Sequence, residues 1–254
     1  MLRRGRTVIE CAACEPEIVD LAAFLTKMGA HIEGAGSHRI VIEGVKELKG
    51  ADHRIIPDRI EAGTFMAAAA MTLGSVTIKG IRLDHLSAVI DVFSQIGVRI
   101  DRLGDTACKV NANDGFRATD VVALPYPGVP TDMQAQISAL LATANGISVV
   151  TDKVFPDRFM YVAELNRMGV QIRKEGSSAI IVGKPRLMGA EVMASDLRAS
   201  AALVIAGMAA HGKTIVHRIY HIDRGYERIE QRLNALGARI ERVDEDPRTE
   251  RGDV

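Results

Sequence analysis

The chain repeats itself, and that repetition limits what it can fold into more than any other property. The pattern apolar-x-x-apolar-Gly-apolar-x-Ile occurs four times, at Leu25–Ile32, Phe93–Ile100, Leu165–Ile172 and Leu233–Ile240. Its glycines, Gly29, Gly97, Gly169 and Gly237, are separated by 68, 72 and 68 residues. A second marker, a glycine leading into a β-branched run, keeps the same beat at Gly5–Ile9, Gly74–Ile78, Gly146–Val150 and Gly212–Val216. Two markers in phase define a unit of about 70 residues, and a unit that small buries its apolar face only by stacking on its copies.

Each unit reads as strand, helix, Gly, strand, helix, Gly, strand and usually one strand more, an α/β pattern. The first helix is small and apolar nearly all round, as in Ile60–Leu73, Met133–Ala144 and Leu197–Ala210. Such a helix has no face to offer water and belongs inside, with the sheet outside. The second is amphipathic: in Asp84–Phe93 the apolar residues Leu86, Val89, Ile90 and Phe93 form one stripe. Ahead of Gly5 there is no sequence for the buried helix that the other copies have. Residues 1–57 therefore read as a partial repeat of an otherwise missing second domain, with an exposed apolar face that would need a partner. Residues 58–243 read as a three-repeat domain, and residues 244–254, charged and carrying Pro and Gly, as a disordered tail.

The balance of 32 Lys+Arg against 32 Asp+Glu gives no net charge to attract nucleic acid or an anionic membrane. Aromatic residues make up 4% and Trp is absent, so stacking platforms for bases are not expected. No apolar run reaches the roughly 18 residues of a membrane span, and no apolar segment follows Arg3-Arg4-Gly5-Arg6 as in a signal peptide. Three cysteines in a chain of 254 residues point to a reducing, cytoplasmic compartment. Cys11 and Cys14 form a lone CxxC, and the histidines show neither HxxxH nor HExxH spacing, so no metal and no cofactor is expected.

An aspartate opens the first helix of three copies: Asp58, Asp132 and Asp196. From position alone each is a helix cap, where unpaired N–H groups and the helix dipole favour a negative charge. Their recurrence at equivalent positions also implies that several helix N-termini converge on one end of the domain, which makes an anion site. Arg59, Arg158, Arg198 and Arg224 lie in or near these turns. A planar guanidinium suits bidentate binding of phosphate or carboxylate, although a surface ion pair is the plainer reading of any one of them. Arg224 stands beside Gly225, which permits close backbone approach to a ligand.

The strings Glu15-Pro16-Glu17-Ile18-Val19-Asp20, Pro57-Asp58-Arg59-Ile60-Glu61-Ala62-Gly63-Thr64 and Pro130-Thr131-Asp132-Met133-Gln134-Ala135-Gln136 carry a resemblance. So do Arg158-Phe159-Met160, Asp196-Leu197-Arg198-Ala199-Ser200 and Tyr220-His221-Ile222-Asp223-Arg224-Gly225-Tyr226-Glu227. Across residues 5 to 243 the chain resembles the UDP-N-acetylglucosamine 1-carboxyvinyltransferases, a family of enolpyruvyl transferases. The resemblance implies an inside-out α/β barrel of two three-repeat domains with the active site between them. It implies that the 3-hydroxyl of UDP-N-acetylglucosamine adds to phosphoenolpyruvate, that phosphate leaves, and that peptidoglycan synthesis begins there. Asp132 matches the proposed general base, Val154 lines the sugar-nucleotide site, and Arg158 and Arg224 face phosphoenolpyruvate. Asp58, Asp196 and Arg198 belong to the same cleft.

The family's lysine–asparagine pair and mobile-loop cysteine have no counterpart here, and Cys11, Cys14 and Cys108 do not match that cysteine. Counted by repeats, on the order of 170 residues of the family pattern are absent. The expectation is a chain inactive alone, completed by a separate N-terminal half or by self-association. A non-catalytic paralogue that binds a ligand or partner is the alternative. The sibling shikimate-pathway enzymes share the fold, but their characteristic strings are not those quoted.

Overall fold

The structure is a computed structural model that describes residue 2 and residues 4–112 and 115–243. The segment expected to be a disordered tail, 244–254, lies outside the described residues.

In the first unit, β1 (Arg6–Glu10) leads to α1 (Pro16–Lys27), β2 (His31–Glu33) and β3 (Arg39–Glu43). The second runs α2 (Arg59–Met71), β4 (Ser75–Lys79), α3 (Ser87–Ile96), β5 (Arg99–Arg102) and β6 (Ala107–Asn111). In the third, β7 (Val121–Ala123) and α4 (Gln134–Leu141) precede β8 (Ile147–Asp152), α5 (Tyr161–Arg167), β9 (Gln171–Glu175) and β10 (Ser178–Val182). The fourth has β11 (Glu191–Met193), α6 (Leu197–Ala209), β12 (Ile215–His217) and α7 (Ile229–Ala235).

The repeat in sequence is a repeat in topology. The sheets β1-β3-β2 and β4-β6-β5 and the β8-β10-β9 part of the four-stranded sheet β7-β8-β10-β9 share one antiparallel pattern, with the last strand of each unit between the other two. Where a strand precedes the buried helix, it pairs in parallel with the strand after it: β7 with β8 and β11 with β12. The third unit is thus a complete βαβαββ. The repeated glycines turn the chain out of the helix at φ +102°, +109°, +87° and +102° for Gly29, Gly97, Gly169 and Gly237, and at the first three it enters a strand. That backbone is open to glycine at little cost.

The three buried helices α2, α4 and α6 pack on one another with the sheets around them. Every residue of α4 is buried, as are Ala62–Met71 of α2 and Ala199–Ala206 of α6. Alanines let the helix axes approach closely, and larger side chains (Met66, Ile137, Leu140, Leu141, Leu203) fill the space between them. This is the inside-out arrangement expected: apolar helices within, half-buried strands without.

Three details depart from expectation. The amphipathic helix of the second unit begins as a 3₁₀ turn over Leu83–Leu86, and α3 proper starts at Ser87. The buried helix expected over Met133–Ala144 also begins later, at Gln134, and ends earlier, at Leu141. There the Ala142 carbonyl accepts from the Lys184 N–H at 2.8 Å, and a Cβ on Gly183 would lie 1.8 Å from the Ala144 oxygen. The end of β10 therefore takes the place of another helical turn. In the fourth unit the described residues after α7 form no strand. The turn is copied all the same: Asn234 brackets the Ile240 backbone at 2.7 and 2.8 Å, as Asn166 brackets Ile172 at 2.9 and 2.8 Å.

Among the described residues, the main apolar cluster contains none before Ile60. The first unit buries Ala12, Ala22, Ala30, Ile40 and Val41 separately, while Val8, Ile9, Val19, Leu21 and Ile55 remain exposed. It meets the rest through Arg59, which donates to both carboxylate oxygens of Glu17 at 2.8 and 3.3 Å and lies over the Tyr126 ring.

Candidate functional site

The three equivalent aspartates do different things. Asp58 caps α2, its Oδ1 accepting from the Ile60 and Glu61 N–H groups at 2.8 and 3.0 Å. Asp196 caps α6 in the same way, through Arg198 and Ala199 at 2.7 and 2.9 Å. Asp132 does not cap. It sits inside a 3₁₀ turn, Thr131–Met133, entered from extended Pro130, with no side-chain cap. The tighter turn frees the carboxylate, and it takes arginines instead.

Arg158 Nη1 donates to Asp132 Oδ1 at 2.5 Å, and Arg198 Nη2 donates to Oδ2 at 3.0 Å. One guanidinium comes from the loop after β8, the other from the first turn of α6. Burial works to raise the Asp132 carboxyl, but the Arg198 charge and the two Arg158 and Arg198 bonds outweigh it and hold the group below the usual carboxylate range. Asp132 is therefore ionised at neutral pH.

The turn is held from below. Asp152, fully buried at the end of β8, accepts from Thr131 Oγ1 at 2.6 Å and from the Val154 and Phe155 N–H groups, each at 2.8 Å. One carboxylate thus ties the Asp132 turn to the loop that carries Arg158. Behind Arg198 lies a buried polar cluster of Tyr226, Thr64 and Gln136, in which Arg198 Nη1 donates to the Tyr226 hydroxyl at 3.2 Å.

Asp132 and Arg198 open onto a cleft of about 780 Å³ between the first unit and the rest. Its other wall includes Glu15, Asp20 and His53, and Asp58 lies on its rim. His53 Nε2 and Asp20 Oδ1 are 3.0 Å apart.

Of the residues singled out in the sequence, Asp132, Arg158 and Arg198 are in direct contact. Asp58 shares the cleft of Asp132 and Arg198 but spends its carboxylate on a helix end. Asp196 supports Arg198 through the backbone. Half-buried Val154 lies in the Arg158 loop. Arg224 ends the 3₁₀ turn Ile219–Arg224, is exposed, and is not among the residues lining the cleft. Sequence reasoning passed over Asp152, Tyr226 and the Glu17–Arg59 pair. Tyr226 and Glu17 stand inside the distinctive strings, which was the available signal, whereas nothing local marks Asp152. Among the described residues no three His, Cys, Asp or Glu side chains gather to hold a metal ion. Nor is any helix among them long and apolar enough to cross a membrane.

The family described as EPSP synthase (3-phosphoshikimate 1-carboxyvinyltransferase) matches residues 1–233. The UDP-N-acetylglucosamine 1-carboxyvinyltransferase of Akkermansia muciniphila is 54% identical over 248 residues, covering 97% of this chain and 58% of its own length. A protein from Caldanaerobacter subterraneus subsp. tengcongensis, named UDP-N-acetylglucosamine 1-carboxyvinyltransferase 1, is 57% identical over 238 residues, 94% of this chain and 57% of itself. Among solved structures, the enolpyruvyl transferase NikO from Streptomyces tendae aligns with a TM-score of 0.84 at 28% identity, over 94% of this chain and 57% of that one. An EPSP synthase from Acinetobacter baumannii shares the fold, with a TM-score of 0.72 at 20% identity over 94% and 58% of the two chains. The chain belongs to the EPSP synthase family of enolpyruvyl transferases. It spans about 58% of the length of the curated relatives it matches.

Proposed function

We propose that this chain carries the Asp132 side of a site that transfers the enolpyruvyl group of phosphoenolpyruvate to the 3-hydroxyl of UDP-N-acetylglucosamine. That reaction opens peptidoglycan synthesis, and a cytoplasmic site for it fits the free cysteines Cys11, Cys14 and Cys108. The observation that carries the reading is the ionised Asp132 carboxylate, gripped by two arginines at the edge of a cleft large enough for a sugar nucleotide. The names of the relatives supply the acceptor, UDP-N-acetylglucosamine, and the carboxyvinyl group transferred, and the donor phosphoenolpyruvate comes from the family resemblance.

The arrangement suits the chemistry. Asp132 Oδ1 or Oδ2 accepts the hydroxyl proton as C3 of phosphoenolpyruvate gains a proton and the sugar oxygen bonds to C2; the C2–O bond to phosphate then breaks as C3 gives up a proton, which restores the double bond and releases phosphate. A general base must lie within hydrogen-bond reach of the proton it takes. A carboxylate whose pKa is depressed by two cations is a weak base, so the resting ion pair must loosen. The phosphate and carboxylate of phosphoenolpyruvate compete for Arg158, the more exposed partner at 25% against 11% for Arg198. Drawing Arg158 away raises the basicity of Asp132 as the second substrate arrives, and the cations then face the departing phosphate.

Turnover requires a further wall of residues that would exclude water and protonate C3, supplied by a separate half, by self-association, or by more of the same polypeptide. The test is phosphate release from phosphoenolpyruvate and UDP-N-acetylglucosamine. The 254-residue chain alone should give none. Adding the unmatched portion of the Akkermansia muciniphila relative should restore release, and Asp132→Asn should reduce it by about 10²-fold or more. Full turnover by the chain alone would refute the need for a second wall. Sugar-nucleotide binding without release in either case would favour a non-catalytic binding protein.

A further inference from the structure

We propose that Tyr226 is a positioning residue: its hydroxyl fixes Arg198, and through Arg198 the Asp132 carboxylate. The catalytic meaning of that role rests on the reading of Asp132 given above, while the positioning itself rests on hydrogen-bond directions within the buried cluster.

Tyr226 is 1% exposed and follows Gly225, where a Cβ would lie 2.8 Å from Leu197 Cδ2. The close approach seats the ring against the start of α6. Thr64 Oγ1 donates to the Ile60 carbonyl at 2.9 Å, which commits its only proton. At the 2.8 Å contact between Thr64 and Tyr226 the tyrosine must therefore be the donor. Gln136 Nε2 donates to Thr64 at 3.0 Å, filling the remaining acceptor capacity of that hydroxyl. The Tyr226 oxygen is left to accept, and it accepts from Arg198 Nη1 at 3.2 Å. The bonds run one way: Arg198 to Tyr226, Tyr226 to Thr64, Thr64 to the backbone of α2.

That polarity fixes one arm of the guanidinium, so the other arm points at Asp132 Oδ2. Burial raises the Tyr226 phenol above its usual value against the pull of Arg198, which keeps the donated proton in place at neutral pH. Arg158 has no comparable anchor. Beyond Asp132 it has a 3.5 Å approach to Thr131 Oγ1 and the ring of Phe155 at 5.8 Å. Arg198 is the fixed partner of Asp132, and Arg158 is the one free to leave.

The test is a titration of the Asp132 carboxyl by ¹³C NMR in the intact chain, which needs no turnover. The charged groups bearing on that carboxyl are Arg158 and Arg198, with Asp58 near Tyr226. Tyr226→Phe keeps the ring beneath Arg198 and removes only the hydroxyl. It should move the Asp132 titration upward by roughly half a pH unit or more. Thr64→Val should move it in the same direction, and Thr64→Ser should leave it in place. Tyr161→Phe is the control, since that buried hydroxyl pairs with Ser138 at 2.8 Å and touches neither arginine. It should have no effect. An unmoved titration in Tyr226→Phe, or an equal movement in Tyr161→Phe, overturns the proposal. If Tyr226→Phe does not fold, the Thr64 pair decides. A failure of the transferase reading would appear only in the phosphate assay and leave this titration unchanged.

Discussion

At the scale of single residues, one position separates Asp132 from its pseudo-equivalents. Asp58 and Asp196 each give an oxygen to two backbone N–H groups, whereas Asp132 gives its oxygens to two side chains, Arg158 of its own unit and Arg198 of the next. The difference has a measurable consequence with pH. A carboxyl held below its unfolded value adds stability that is complete above about pH 3.9 and is lost as pH falls through the lower folded value. Asp132→Asn should therefore be less stable than the parent chain at neutral pH, and the gap should narrow below about pH 4. Urea unfolding at a series of pH values measures it, and a gap that stays constant down to pH 3 would contradict it. Since Asp132 is 35% exposed, solvent screens the pair and the effect is modest.

At the scale of elements, the caps carry the stability that Asp132 gives up. Asp58→Ala and Asp196→Ala should each cost about 0.5–2 kcal/mol, because two N–H groups at the head of a buried helix lose their acceptor. Asn at either position should recover most of the loss, since its side-chain oxygen can still accept. Denaturant midpoints distinguish the two substitutions. The caps were legible in the sequence, because the aspartates fall where apolar periodicity begins. The 3₁₀ turn at Thr131–Met133 was not. It is held by the Asp152 carboxylate, 20 residues downstream of Asp132, which accepts from Thr131 Oγ1.

At the scale of the whole molecule, the apolar core starts at Ile60 and the first unit hangs on polar contacts centred on Arg59 and Glu17. A unit with a separate small core and an exposed apolar strand should open at lower free energy than the helical centre. Hydrogen exchange should therefore be faster at the amides of β1–β3 than at those of α4 and α6. Arg59→Ala should widen the difference. Equal protection in both regions would show that the chain unfolds as one cooperative block. The division at residue 57 is proposed on the same ground.

The sequence by itself determined the repeat, the placing of apolar helices inside, and the convergence of three aspartate-headed helices. Each of these follows from periodicity, and periodicity is local. The tertiary structure alone decided which aspartate meets which arginine. It left Asp58 and Asp196 as the caps their positions predict, made Asp132 an ion-paired carboxylate instead, and left Arg224 exposed. It also placed Thr64, Gln136 and Tyr226, up to 162 positions apart, on a single buried hydrogen-bonded chain. A side chain's partner depends on distances between elements, and those are fixed only when the three helices pack.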